Sequence, residues 1–333
     1  HSSLRQEVMA GVTTFLAMAY ITVVNPGILS AAGMDFGAVF VATCLAAAIG
    51  TAVMGLYANY PVAQAPGMGQ NAFFTYGIVL GAGYSWQSAL GAVFISGLVF
   101  IALSVLPVRE WLINAIPRSL KLGISAGIGF FLGIIALSGS GIIVSNEATL
   151  VSLGDLTETP AILMLFGFVV IAALSARRVV GAVVIGMLLV TLLGWLSGAA
   201  EFAGIVSAPP PLTTLFELDI AAALDLSMVT VIITLLLVDV FDTAGTLVGV
   251  ANRAGMLDDN GHLPRLRRAL LSDSSATAVG ALLGTSSTTS YIESAAGVEA
   301  GGRTGLTALV TAGLFLLCLF VAPLAQSIPP FAT

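Results

Sequence analysis

The sequence predicts an all-α polytopic membrane protein, and three observations carry that prediction. Hydrophobic residues make up 58% of the 333 and charged residues 8%, whereas a soluble domain carries about 25% charge. Apolar runs of helical length recur along the chain, each able to cross ~30 Å of hydrocarbon. Two of these runs are interrupted, at comparable places, by residues that no regular helix accommodates. The first two observations set the class. The third points to a transporter assembled from two repeats, because paired broken segments mark the central site of such proteins.

Eleven spans are expected, near 8–30, 38–57, 66–82, 87–106, 119–139, 160–175, 179–198, 226–251, 269–284, 286–301 and 304–326. They are too long for the ~10-residue strands of an outer-membrane barrel. More spans follow the first, which argues against a cleaved leader. The cations set the orientation. Arg5 precedes the first span; Arg109, Arg118 and Lys121 follow the fourth; Arg177 and Arg178 follow the sixth; Arg253, Arg265, Arg267 and Arg268 follow the eighth; Arg303 follows the tenth. A cytoplasmic N-terminus puts every one of them in the cytoplasm. The loops at 140–159 and 199–225 hold seven carboxylates and no Lys or Arg, and are expected outside. The location is therefore the cell (plasma or inner) membrane, multi-pass.

The repeat is expected to be seven-plus-seven and inverted, since an odd unit reverses direction. Ala32-Gly33-Met34 closes the first span and Ala254-Gly255-Met256 closes the eighth. The separation that carries one tripeptide onto the other also carries Asn71 onto Glu293. The interrupted spans are the third and the tenth. Ala65-Pro66-Gly67-Met68-Gly69-Gln70-Asn71 cannot open as a regular helix. Gly284-Thr285-Ser286-Ser287-Thr288-Thr289-Ser290 is rich in side chains that bond their own backbone. Irregular backbone at membrane depth must be buried in protein or line a cavity, and the helix starts it creates offer N–H groups and a positive dipole end.

Carboxylates inside apolar spans cost roughly 3 kcal/mol or more and mark functional sites. Asp239 and Asp242, three apart in the eighth span, are expected on one helical face. Two such charges repel, so one must bind a proton or find a donor. Asp239 is assigned to substrate and Asp242 to proton coupling. Glu293 opens the helix after the second break, placed for substrate and proton alike. Asn71 offers both donor and acceptor at the matching position. Phe73, Phe241, Tyr291 and Thr289 complete the candidate substrate-binding set. Glu299, beside Arg303, is expected in an interfacial pair. A pocket of acidic acceptors without a buried cation suits a neutral ring rich in N–H donors, or a cation. Cys44 and Cys318 read as packing, and His262 as solvated. Without a nucleotide-binding loop or catalytic motif, neither an enzyme nor an ATP-driven pump is indicated. No cofactor, metal or nucleic-acid partner is expected; the partners are the bilayer, a small substrate and a coupling ion.

The segments Gly11–Tyr20, Asn25-Pro26, Ala65–Phe74, Phe241–Thr246 and Gly284–Ser294 together resemble the AzgA-like purine permeases, a branch of the nucleobase–ascorbate transporter superfamily. The resemblance covers essentially the whole chain. It implies a fourteen-span fold with core and gate domains and proton-coupled uptake of hypoxanthine, guanine or adenine by alternating access, with Na+ the other coupling ion to consider. It implies homodimers, and binding residues at Asn71, Asp239, Asp242 and Glu293. On this basis 1–107 forms the first half of the core, 108–225 the first half of the gate and 226–326 the second half of the core. The remaining gate spans are absent, since three more would need about 100 residues beyond Thr333. The alternatives are a same-fold anion transporter, against which the buried carboxylates argue, and a uracil or xanthine transporter.

Overall fold

The computed structural model describes residues 2–106, 118–256 and 263–333. The expectations for His1, Arg109 and His262, and the start of the 108–225 segment, lie outside the described residues.

The first expected span is two helices. α1 (Leu4–Met18) starts on a capping box, with Ser3 accepting from the Gln6 amide and the Gln6 side chain accepting from the Ser3 amide. It stops at Ala19-Tyr20, and α2 (Ile21–Ser30) resumes with Pro26 inside it. The break turns the Tyr20 side chain inward, leaving it 5% exposed. α3 (Phe36–Val53), capped by Asp35, runs into a π-turn over Met54–Ala58. α5 (Trp86–Val105) is capped by Ser85. Between them the third span opens as an extended strand, β1 (Gln64–Pro66), followed by a short helix, α4 (Met68–Ala72), which continues as π-helix through Val79.

α6 (Arg118–Gly139) leads to a hairpin of β2 (Ile143–Asn146) and β3 (Leu150–Leu153), and then to α7 (Thr159–Ala176) and α8 (Ala182–Leu196). α7 and α8 pack together through Gly167 against Val190 and Gly186 against Ile171. Phe166, Phe168 and Val169 point away from the protein, as a lipid-facing helix requires. An extended segment then crosses to the short α9 (Ile220–Ala223). On the way, Thr214 donates to the Leu283 carbonyl at 2.8 Å and so satisfies a helix end.

α10 (Val229–Arg253), α11 (Leu266–Leu283), β4 (Thr288–Ser290), α12 (Ser294–Glu299), α13 (Gly305–Cys318) and α14 (Ala322–Gln326) complete the chain. α11 ends on Gly284 at φ +96°, a left-handed cap that favours glycine. A Cβ there would meet Thr214 at 2.2 Å. The π-turn that follows α3 meets the start of α13 at Gly55 and Gly305, where a Cβ on Gly305 would sit 1.9 Å from the Gly55 carbonyl oxygen. Such contacts between small residues are how membrane helices associate closely.

Among the described residues, six helical runs are long and apolar enough to cross a membrane: Leu4–Ser30, Phe36–Ala58, Trp86–Val105, Thr159–Ala176, Leu226–Arg253 and Gly305–Gln326. The fifth expected span is the 22-residue α6, and the remaining four take other forms. The third and tenth are divided between strand and short helix; α8 has 15 residues; α11 carries Arg267, Arg268 and Asp273.

β1 and β4 form a two-stranded antiparallel ribbon, with Gln64 opposite Ser290, Ala65 opposite Thr289 and Pro66 opposite Thr288. Every residue of both strands is buried. The irregular backbone of each interrupted span thus satisfies its polar groups on the other, as a low-dielectric interior demands.

Candidate functional site

Side chains from one helix sort into two adjoining stripes. Along α10, Val238, Asp242 and Thr246 follow an i, i+4, i+8 course and line a pocket. Asp239 and Thr243 lie on the next stripe and meet α11, where Asp273 and Thr277 are again four apart. The contacts are reciprocal: Thr277 Oγ1 donates to Asp239 Oδ2 at 2.9 Å, and Thr243 Oγ1 donates to Asp273 Oδ2 at 2.5 Å. Asp239 and Asp242 therefore do not share a face. They stand only about 60° apart around the helix, and it is the packing of α11 against the Asp239 stripe that sends one into the interior and leaves the other on the pocket.

The pocket is lined by Tyr20, Gly67 to Gln70, Leu132, Val238, Asp242, Thr246 and Thr289 to Glu293. It lies where the two interrupted spans meet α10, with one residue, Leu132, reaching in from α6. Glu293 accepts from the Tyr20 hydroxyl at 2.6 Å. Tyr291 donates its hydroxyl to the Pro66 carbonyl at 2.5 Å, tying the tenth span to the third beside the ribbon. Thr289 and Thr243 pair their hydroxyls at 3.0 Å. Among the described residues, no Lys or Arg lines the pocket.

Behind this surface, Asp273 is fully buried and gathers four donors. Its Oδ1 accepts from the Ser290 amide at 2.8 Å, the Ser290 hydroxyl at 2.6 Å and Gln64 Nε2 at 3.0 Å; Thr243 reaches Oδ2. Both strands of the ribbon are thus held to α11 through one carboxylate. Asp239 is 1% exposed and accepts from Gln70 Nε2 at 3.1 Å.

Four of the sequence candidates, Asp242, Glu293, Tyr291 and Thr289, line the pocket together, and four do not. Asp239, expected at the substrate, stands one layer behind it. Asn71 is fully buried and bonded through its carbonyl oxygen to the Ser286 hydroxyl, so it links the two breaks. Phe73 packs over Gly77 and into the apolar cluster around Phe74 and Leu90, and Phe241 into the one around Val240 and Leu247. Glu299 pairs with Arg253 at 2.6 Å, not with Arg303. Arg303 donates instead to the Val298 and Gly302 carbonyls, while its amide donates to Glu7.

Tyr20, Gln70 and Asp273 are site residues that the sequence reading passed over. Asp273 carried the same signal as Asp239, a carboxylate inside an expected span. Gln70 sat next to a chosen amide. Tyr20 had no signal, because nothing in 8–30 marks a break at residue 19.

Two carboxylates on a pocket between facing interrupted helices, within a bundle of membrane-length apolar helices, define a polytopic membrane transport protein. The chain belongs to the permease family (Xan_ur_permease), whose model matches residues 5–333; it is a multi-pass membrane protein and a transporter, not an enzyme. Its relatives include the adenine permease AdeP of Escherichia coli K12, 48% identical over 332 residues that cover 99% of this chain and 75% of AdeP. The guanine/hypoxanthine permease PbuG of Bacillus subtilis is 49% identical over 336 residues, covering 97% of this chain and 76% of PbuG. The fold resembles the transmembrane domain of a cyanobacterial bicarbonate transporter, BicA, with a TM-score of 0.75 at 17% identity over 99% of this chain and 86% of that one.

Proposed function

We propose that this protein is a secondary active transporter that takes purine nucleobases into the cell in symport with protons. The observation that carries the reading is the pocket itself, where Asp242 and Glu293 face the same space with no cation beside them among the described residues. A purine presents N–H donors along a flat edge, and carboxylates are acceptors able to take them in charge-assisted bonds. An anion would meet repulsion there. The adenine and guanine/hypoxanthine permeases among the relatives support a purine over other nucleobases.

In this reading Asp242 and Glu293 hold the ring N–H edges, and Tyr20 fixes the rotamer of Glu293 by its hydrogen bond. This reverses the division of labour expected from sequence: Asp242 contacts substrate, and Asp239 supports the site through Gln70. A proton taken by Asp242 or Glu293 cancels repulsion between the two carboxylates, which couples substrate occupancy to proton binding. Asn71 holds the two breaks together and does not touch the base.

The same reading covers the architecture. The chain is part of a seven-plus-seven inverted repeat with a cytoplasmic N-terminus. Residues 1–107 and 226–326 form a core that carries the pocket, and 108–225 belong to a gate against which the core moves. α7 and α8 packing on one another, and Leu132 as the one residue of 118–225 on the pocket among the described residues, support that division. Homodimers formed through the gate would give the moving core a fixed frame.

The test is equilibrium binding of radiolabelled hypoxanthine, guanine and adenine to the purified full chain at several pH values. Saturable binding that the three bases compete for, and that Asp242→Ala or Glu293→Ala removes, is expected. A folded protein that binds none of them overturns the reading.

A further inference from the structure

Gln70 enters the reading above only as the link to Asp239, which leaves half of its carboxamide unused. It lines the pocket, is 2% exposed, and its two amide atoms face different environments. Nε2 donates to Asp239 Oδ1. Oε1 is buried and has no hydrogen-bond partner in the protein. It lies against Gly67, another pocket residue, close enough that a Cβ on Gly67 would sit 2.6 Å from it. A buried acceptor without a donor costs about 1–3 kcal/mol, and a ligand that supplies the donor recovers that cost.

The carboxamide is oriented by what lies behind it whenever Asp239 Oδ1 carries no proton. Asp239 Oδ1 is the partner of Nε2, and Asp239 Oδ2 is the partner of Thr277. Thr277 Oγ1 also lies 2.8 Å from the Thr288 carbonyl oxygen. With Asp239 ionised, Thr277 donates to Oδ2. With a proton on Oδ2, Asp239 donates to Thr277, which turns its own proton to Thr288. Oδ1 is an acceptor in both of these states, so Nε2 stays on Asp239 and Oε1 is left as the unpartnered acceptor against Gly67, a pocket residue.

We propose that Gln70 selects among purines, its Oε1 taking the exocyclic amine of an aminopurine and disfavouring a base with a carbonyl oxygen at the same place. The inference rests on the purine reading of this site. An amine meets Oε1 as a donor, whereas an oxo group sets acceptor against acceptor and leaves both unsatisfied. Selectivity built on an unpaired buried polar group is stronger than selectivity built on shape. The assignment predicts adenine as a better ligand than hypoxanthine, and better than unsubstituted purine, which differs from adenine only by the amine.

Dissociation constants for adenine, hypoxanthine and unsubstituted purine, measured on the purified full chain and on Gln70→Leu, test this. The parent is expected to bind adenine about tenfold or more tightly than either other base, the worth of one hydrogen bond to a buried acceptor. Gln70→Leu is expected to weaken adenine more than hypoxanthine and so to close the gap. The comparison on the parent decides the matter even if the variant does not fold. Hypoxanthine or purine binding as tightly as adenine, or equal weakening of all three by the substitution, overturns the role of Gln70 and leaves the purine reading standing. A folded parent that binds none of the three overturns both.

Discussion

Replacing Asp273 with alanine removes the acceptor on which four donors converge, and the structure shows which of them can find another. The Thr243 hydroxyl can turn to Thr289 Oγ1 at 3.0 Å, and Gln64 Nε2 already lies 3.4 Å from Ser290 Oγ. The Ser290 amide has no such alternative, because β1 pairs with the other edge of its strand and Asp273 is its bond. Counting that amide and one further stranded donor, at about 1–3 kcal/mol each, gives about 2–6 kcal/mol of destabilisation. One effect opposes this: the substitution also removes a carboxylate from the interior, and with it a desolvation cost. Asp273→Asn separates the two. It removes the charge but keeps Oδ1 as acceptor for Ser290 and Gln64, so its expected cost is only about 1 kcal/mol, confined to Thr243. Thermal unfolding of the three proteins in one detergent, followed by tryptophan fluorescence, provides the ranking. Parent, asparagine and alanine are expected to melt in that descending order. An alanine variant that melts with the parent, or above the asparagine variant, would refute the claim that Asp273 secures the ribbon to α11.

Other perturbations follow from the same geometry. Glu293→Gln exchanges a charged acceptor for a neutral one and is expected to weaken purine binding about 10- to 100-fold, read by equilibrium dialysis. Tyr20→Phe removes only the bond that orients Glu293, so a loss of about tenfold or less is expected in the same assay. Gly305→Ala forces a methyl group against the Gly55 carbonyl and is expected to cost about 1–3 kcal/mol in a melting experiment. Gly313→Ala on the same helix, where a Cβ meets nothing within 4 Å, is expected to be neutral or to stabilise by up to about 1 kcal/mol. Arg253→Ala breaks an ion pair whose partners are 60% and 63% exposed, and is expected to change stability by less than about 1 kcal/mol.

Much of this arrangement is legible in the sequence, for identifiable reasons. Apolar runs mark helices because a bilayer allows nothing else with so little charge, and Pro66, Gly67 and Gly69 announce the first break in covalent terms. The carboxylates announce the site because burial makes them expensive. The rest depends on information that no local pattern holds. Three residues of strand are too few to show alternation, so Gln64–Pro66 and Thr288–Ser290 read as irregular until their pairing is seen. The stripe on which Asp239 lies is decided by α11, whose Thr277 is distant in sequence. Phe73 and Phe241 have the right chemistry for a ring pocket, but helix rotation turns them into apolar clusters.

The ribbon of β1 and β4 also sets the mechanics of the molecule. Two opposing walls joined by backbone hydrogen bonds, and further secured by Tyr291 on Pro66 and by Asp273 on Ser290, cannot part without stranding amides in a medium that offers no water. These two walls of the pocket therefore keep their spacing and do not work as a pair of jaws. Exposing the pocket first to one face of the membrane and then to the other would require both walls to travel together as a single piece of cargo-bearing structure.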